Sequence, residues 1–114
     1  MALKDIRRKK ENAVVSAVNI TSTDETTHGA YQAEVPGAAR QAELTWRARG
    51  STRIADHTFV PPEARGSGIA MQLVEALVAD AREQGFTIEP ACSYVEAAFR
   101  RHPEWAELRA PIPS

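Results

Sequence analysis

The segment Arg65-Gly66-Ser67-Gly68-Ile69-Ala70 is the stretch of this chain best suited to chemistry. It follows an apolar run closed by Pro61-Pro62 and precedes a stretch with helical periodicity. Glycines let a backbone turn sharply and let a ligand approach closely. A helix beginning there offers unpaired N–H groups and the positive end of its dipole. Together these features make an anion site suited to a pyrophosphate, with Arg65 adding a fixed positive charge at its mouth.

Two common phosphate binders do not fit. A P-loop needs Gly-Lys-Ser/Thr after its gap, and no such lysine exists here. A dinucleotide fingerprint needs a third small residue where Met71 stands, within a parallel βαβ unit. Taken alone, Gly66 and Gly68 also read as a plain strand-to-helix turn.

The remaining reactive side chains are few. Cys92 is the single cysteine; its thiolate is a strong nucleophile, although cysteine often serves as a small buried hydrophobe. His57 stands mid-strand beside Asp56 and titrates in a range that suits deprotonation of an amine. Strand alternation sets Asp56 and His57 on opposite faces, which argues against a dyad and for a hydrogen-bonded core histidine. His102, before Pro103, reads as a charge partner for a helix end. His28 lies in a polar run and carries no assigned chemistry. One cysteine and three scattered histidines offer no metal-ligand spacing, so no metal site is expected. Trp46 and Trp105 read as packing residues.

These residues need elements to hold them. Ala13–Ile20 is apolar and β-branched, which predicts a strand, whereas residues 21–29 are polar and predict a loop. Ala30–Val35 predicts a short strand before the Pro36-Gly37 turn. Ala42, Leu44 and Trp46 alternate with Glu43, Thr45 and Arg47, the pattern of a half-buried strand. Thr52–Val60 carries apolar residues on both parities, as a central strand would. Ile69, Leu73, Val74, Leu77, Val78 and Ala81 share one helical face, and Gly85 is a natural stop. Phe86–Glu89 predicts a short strand ended by Pro90. Ser93 is a candidate N-cap for a second helix running to about His102, with Val95, Ala98 and Phe99 inward. The last residues, with Pro111 and Pro113, read as irregular. The expected fold is α+β, of sandwich type: a mixed, mainly antiparallel sheet flanked by two helices.

At 114 residues the chain fits one domain. We expect a polar, basic tail over residues 1–12, holding Lys4, Arg7, Arg8, Lys9 and Lys10, and one domain over 13–114. The net charge of −1 gives no domain-wide basic field, which points away from nucleic acid. No apolar run is long enough for a bilayer, and the first residues lack the apolar stretch of a secretory signal. With a single cysteine, a reducing cytoplasm is the expected location.

Arg65-x-x-Gly68-x-Ala70 resembles the Arg/Gln-x-x-Gly-x-Gly/Ala pyrophosphate motif of the GCN5-related N-acetyltransferases. His57-Thr58-Phe59-Val60-Pro61, Pro90-Ala91-Cys92-Ser93-Tyr94-Val95 and Arg101-His102-Pro103-Glu104-Trp105 extend the likeness to a small, single-domain branch of that superfamily, over roughly residues 30–110. The resemblance implies acetyl-CoA as cosubstrate and a primary amine as acceptor. It implies that Phe59 and Val60 end the strand that pairs with the pantetheine arm. Arg65, Gly66, Ser67, Gly68, Ile69 and Ala70 would wrap the pyrophosphate. Cys92 would lie where the sheet splays and the thioester sits, and Arg100 or Arg101 would reach the adenosine-side phosphates. Many superfamily members carry a Phe-Tyr pair whose tyrosine protonates the departing thiolate; here Phe99 is followed by Arg100, so the resemblance assigns no general acid. Cys92 is then a candidate acid or acyl-accepting nucleophile, and His57 a candidate base. The alternative is a module that binds acyl-CoA with little or no catalysis. Protein lysine, polyamine and small metabolite amines all remain open as acceptors.

Overall fold

The computed structural model describes residues 19–111. The expected tail over 1–12 and most of the strand expected over 13–20 lie outside the described residues. Five strands form one sheet in the order β1-β2-β3-β4-β5. These are β1 (Ile20–Asp24), β2 (His28–Ala33), β3 (Ala42–Arg49), β4 (Thr52–Phe59) and β5 (Thr87–Pro90). The first four make an antiparallel meander, and β5 joins β4 in parallel. Helix α1 (Ile69–Gln84) connects β4 to β5, and helix α2 (Ser93–Arg101) follows β5. The expected α+β architecture is the one observed.

The polar run 21–29 is a correction. It supplies β1 and the start of β2 rather than a loop, and only Glu25–Thr27 turns between them. Thr26 takes φ 76° there, and its N–H donates to Asp24 Oδ1 at 2.9 Å. Thr21, Ser22, Thr23 and Asp24 are exposed because β1 is an edge strand. Hydrophobic content reports burial, whereas β-branched threonine suits an exposed strand equally well.

The alternation of β3 holds: Ala42, Leu44 and Trp46 are buried. They share a core with Ala55 of β4 and with the inward faces of both helices. Helix α1 packs on β2 and β3, and α2 packs on β4, β5 and α1. The buried residues of α1 are Ile69, Leu73, Val74, Leu77, Val78 and Ala81, the face expected from periodicity. The helix starts after Gly68 at φ 89° and stops at Gly85 at φ 85°, a conformation costly for any residue with a Cβ. Gly29 answers a different constraint: a Cβ there would strike the Thr23 carbonyl and the Trp46 indole.

One further correction and one addition concern the C-terminal third. Helix α2 is capped by Cys92 rather than Ser93, with no side-chain capping bond. After Pro103 the chain adds an element that the sequence did not signal. A 3-10 turn over Pro103–Leu108 buries Trp105 and Leu108, and the Ala110 N–H donates to the Ile88 carbonyl at 2.7 Å. His102 stacks on Trp105 with ring centroids 4.1 Å apart and pairs with Glu104 at 2.9 Å.

One polar cluster ties the layers together. The Tyr31 hydroxyl donates to Asp80 at 2.7 Å and accepts from Arg53 at 3.2 Å. The Arg53 guanidinium lies between the Trp46 and Phe86 rings, 3.9 and 4.1 Å from their centroids. Burial, then the hydrogen bond to Asp80 and its charge, push the Tyr31 phenol well above its ordinary range.

Candidate functional site

The site begins with an irregularity in β4. Thr45 pairs with His57 and Trp46 with Ala55, so Asp56 is an extra residue in the ladder, a β-bulge. Its carboxylate accepts from Thr45 Oγ1 at 2.6 Å and from Arg47 Nε at 3.0 Å. Partial burial raises the Asp56 pKa, but the Thr45 and Arg47 hydrogen bonds, with the Arg47 charge, outweigh it and hold the carboxyl below its usual value. The bulge also breaks the alternation assumed from sequence. Asp56 and His57 both face the Thr45 side of the sheet, away from the helices. Asp56 is nonetheless bonded to Thr45 and Arg47, and His57 is exposed.

Beyond the bulge β4 and β5 part. Their pairing runs from Thr52–Thr87 to Ala55–Pro90. The Ala91 and Cys92 amides then both donate to the Ala55 carbonyl at 3.0 Å, and the chain turns into α2. This leaves a notch between Thr58–Val60 and the start of α2. The Cys92 thiol sits at its apex, half-buried, with Sγ 3.4 Å from Thr58 Oγ1.

The glycine loop closes the other side. Pro61 precedes a 3-10 turn over Pro62–Ala64, then Gly66 and Gly68 take φ 82° and 89°. The Ser67 N–H and hydroxyl both turn back on the Ala64 carbonyl. The first α1 amide with a backbone partner is Gln72, which donates to Gly68. The amides of Gly66, Gly68, Ile69, Ala70 and Met71 therefore have no backbone acceptor among the described residues. Arg65 donates through Nε to the Val60 carbonyl at 3.2 Å and has no carboxylate partner among the described residues.

Loop and notch enclose one cavity of about 520 Å³. Thr58, Phe59 and Val60 form its strand wall; Ala64, Arg65, Gly66, Gly68, Ile69 and Ala70 form its loop wall. The third wall is Tyr94, on the first turn of α2. No protein hydrogen bond holds the Tyr94 hydroxyl among the described residues. Most of the expected binding residues thus come together. Ser67 bonds within its own loop, and Cys92 touches the cavity only through Thr58. His57 is exposed and stands outside the lining. Arg100 pairs with Glu96 at 3.2 Å and Arg101 is exposed; neither lines the cavity. Tyr94 is the residue that sequence reasoning passed over. Its signal was its place in the Cys92-Ser93-Tyr94-Val95 segment, but its reach across to Gly66–Ala70 depends on the splay of the strands.

Open space surrounds Gly66 and Gly68: a Cβ built on either meets nothing within 4 Å. A cavity that pairs unsatisfied amides with a guanidinium fits a pyrophosphate. No group of three or more potential metal ligands occurs among the described residues, and none of their helices is long and apolar enough to cross a membrane.

The family model for the GCN5-related N-acetyltransferases matches residues 30–108. The chain belongs to that family. Among solved structures it resembles the NMR structure of a GCN5-like protein from Staphylococcus aureus, with a TM-score of 0.65 and 22% identity. The match covers 84% of this chain and 91% of the other, and it supports the same fold.

Proposed function

We propose that the protein transfers an acetyl group from acetyl-CoA to a primary amine. The observation that carries this reading is the cavity in which a loop of unpaired amides and a guanidinium meets a splayed strand pair. Acetyl-CoA supplies the activated thioester. The amides of Gly66, Gly68, Ile69, Ala70 and Met71 and the Arg65 guanidinium hold its pyrophosphate, and the open edge of β4 beyond Ala55 hydrogen-bonds its pantetheine amides. This anchoring sets the thioester at the notch beside Thr58 and Cys92, where orientation lowers the barrier.

The amine nitrogen attacks the thioester carbonyl carbon. The C–N bond forms, the C–S bond breaks, one proton leaves the nitrogen for solvent water and one reaches the departing sulfur from a donor that water then reprotonates. We assign the second proton to the Tyr94 hydroxyl, which borders the cavity and has no hydrogen-bond partner among the described residues to compete for it. Cys92, already hydrogen-bonded to Thr58, takes no acetyl group in this scheme.

The test is calorimetric titration with acetyl-CoA and CoA, run beside an acetylation assay over a panel of amines. Binding with product formation supports the transferase. Binding without product across the panel supports a module that only holds acyl-CoA. Absence of binding by either ligand removes both readings.

A further inference from the structure

A second cavity, of about 920 Å³, lies on the sheet face opposite the helices. The β2–β3 loop, residues 34–41, forms its rim, and Thr21 and Gln32, cross-strand partners, form its floor. Gln32 also faces Glu43 across β3, which in turn faces Phe59. The floor therefore continues along the same sheet face to Phe59.

Arg40 makes the connection. Its guanidinium carbon lies 3.7 Å from the centroid of the Phe59 ring. Arg40 lines the second cavity and Phe59 lines the first, so this stacked pair is the partition between them. Stacking occupies a face of the guanidinium and leaves its N–H edge free. Arg40 has no carboxylate partner among the described residues. Glu34, on the same rim, is exposed and likewise unpaired among them.

We propose that the second cavity is the acceptor subsite, and that it takes a basic α-amino acid. This rests on the transferase reading above. The guanidinium edge of Arg40 receives the α-carboxylate as a bidentate partner. The adjacent α-amino group is then directed to Phe59, which also lines the first cavity. The positive charge of Arg40 beside that amine disfavours its ammonium form and so favours the neutral nucleophile. Glu34 receives the cationic end of the side chain, while Gln32 and Thr21 offer neutral hydrogen bonds along the floor.

The pair L-lysine and cadaverine tests the assignment, because cadaverine is lysine without its carboxylate. Amide and side-chain NH₂ resonances of the isotope-labelled protein are followed while each is added, with CoA present. L-lysine is expected to shift Gln32 and Gln41, and cadaverine to bind at least about tenfold more weakly, the loss of one charge-assisted contact of roughly 1.4 kcal/mol or more. Arg40→Gln should remove that difference while changing CoA affinity less than twofold. Equal binding of the two probes, or a lysine response unaltered in Arg40→Gln, overturns the proposal. So does a large fall in CoA affinity in Arg40→Gln, which would give Arg40 to the cosubstrate. Loss of CoA-induced shifts at Gly66–Met71 in the unsubstituted protein would instead defeat the transferase reading beneath it.

Discussion

Cys92 Sγ and Thr58 Oγ1 lie 3.4 Å apart across the point where β4 and β5 separate. One residue comes from the start of α2 and the other from β4, so their contact spans the notch. It links the geometry of the splay to whatever binds within it. If Tyr94 is the proton donor, this contact is a positioning one. Cys92→Ala is then expected to lower kcat less than about tenfold, and no acetyl adduct should form on the thiol during turnover. Intact-mass spectrometry after mixing with acetyl-CoA checks this; an adduct that forms and decays at the turnover rate would make Cys92 the acyl carrier.

Tyr94→Phe keeps the ring and removes only the hydroxyl. The expected result is a kcat lower by about 10²–10⁴-fold, the usual scale for a general acid. Acetyl-CoA affinity should change less than twofold. Circular dichroism of the variant should match the parent, since the hydroxyl has no protein partner to lose among the described residues.

Gly68→Val separates strain from occlusion. At φ 89° a β-branched residue is costly, by roughly 1–2 kcal/mol. Apart from its own chain neighbours, no atom of the described residues lies within 4 Å of the added Cβ, so core packing is unaffected. The new side chain instead occupies the space assigned to phosphate. CoA affinity should fall at least about 30-fold, measured by titration at a temperature where the variant remains folded. Gly29→Ala is the contrasting change. It drives a methyl into the Trp46 indole and the Thr23 carbonyl. A loss of about 2–3 kcal/mol is expected in urea unfolding, on the scale of overpacked cores.

Asp56 links the bulge to pH. Its folded pKa is depressed, so its contribution to stability is present above the unfolded value of about 3.9 and is lost as pH falls through the lower folded value. Asp56→Asn should flatten the acid limb of the unfolding profile below about pH 4. At neutral pH it should cost about 1 kcal/mol, from weakened bonds to Thr45 and Arg47. An acid limb identical to the parent's would contradict this reading.

Periodicity made α1 legible before any coordinates, because its buried stripe depends only on the helical repeat. The β3 strand was legible for the same reason, with alternation taking the place of the helical repeat. Strand β1 was not, since an edge strand that buries almost nothing has no hydrophobic signature. The Asp56 bulge was also hidden: one extra residue shifts every later side chain of β4, yet nothing in Ala55-Asp56-His57 marks it. That shift explains why His57, read as a core histidine or base, stands exposed on the face away from the helices. The loop from Arg65 to Ala70 was readable because its chemistry is local. Tyr94 was not, because its place in the cavity wall depends on two strands separating.

The most direct test of the account follows the backbone amides of Gly66, Gly68, Ile69, Ala70 and Met71 by NMR during titration with CoA. Saturable shifts concentrated on these amides and on Thr58–Val60, abolished in Gly68→Val, are the predicted result. Shifts spread elsewhere, or none at these residues at saturating CoA, would contradict the claim that this loop and notch form the cosubstrate site.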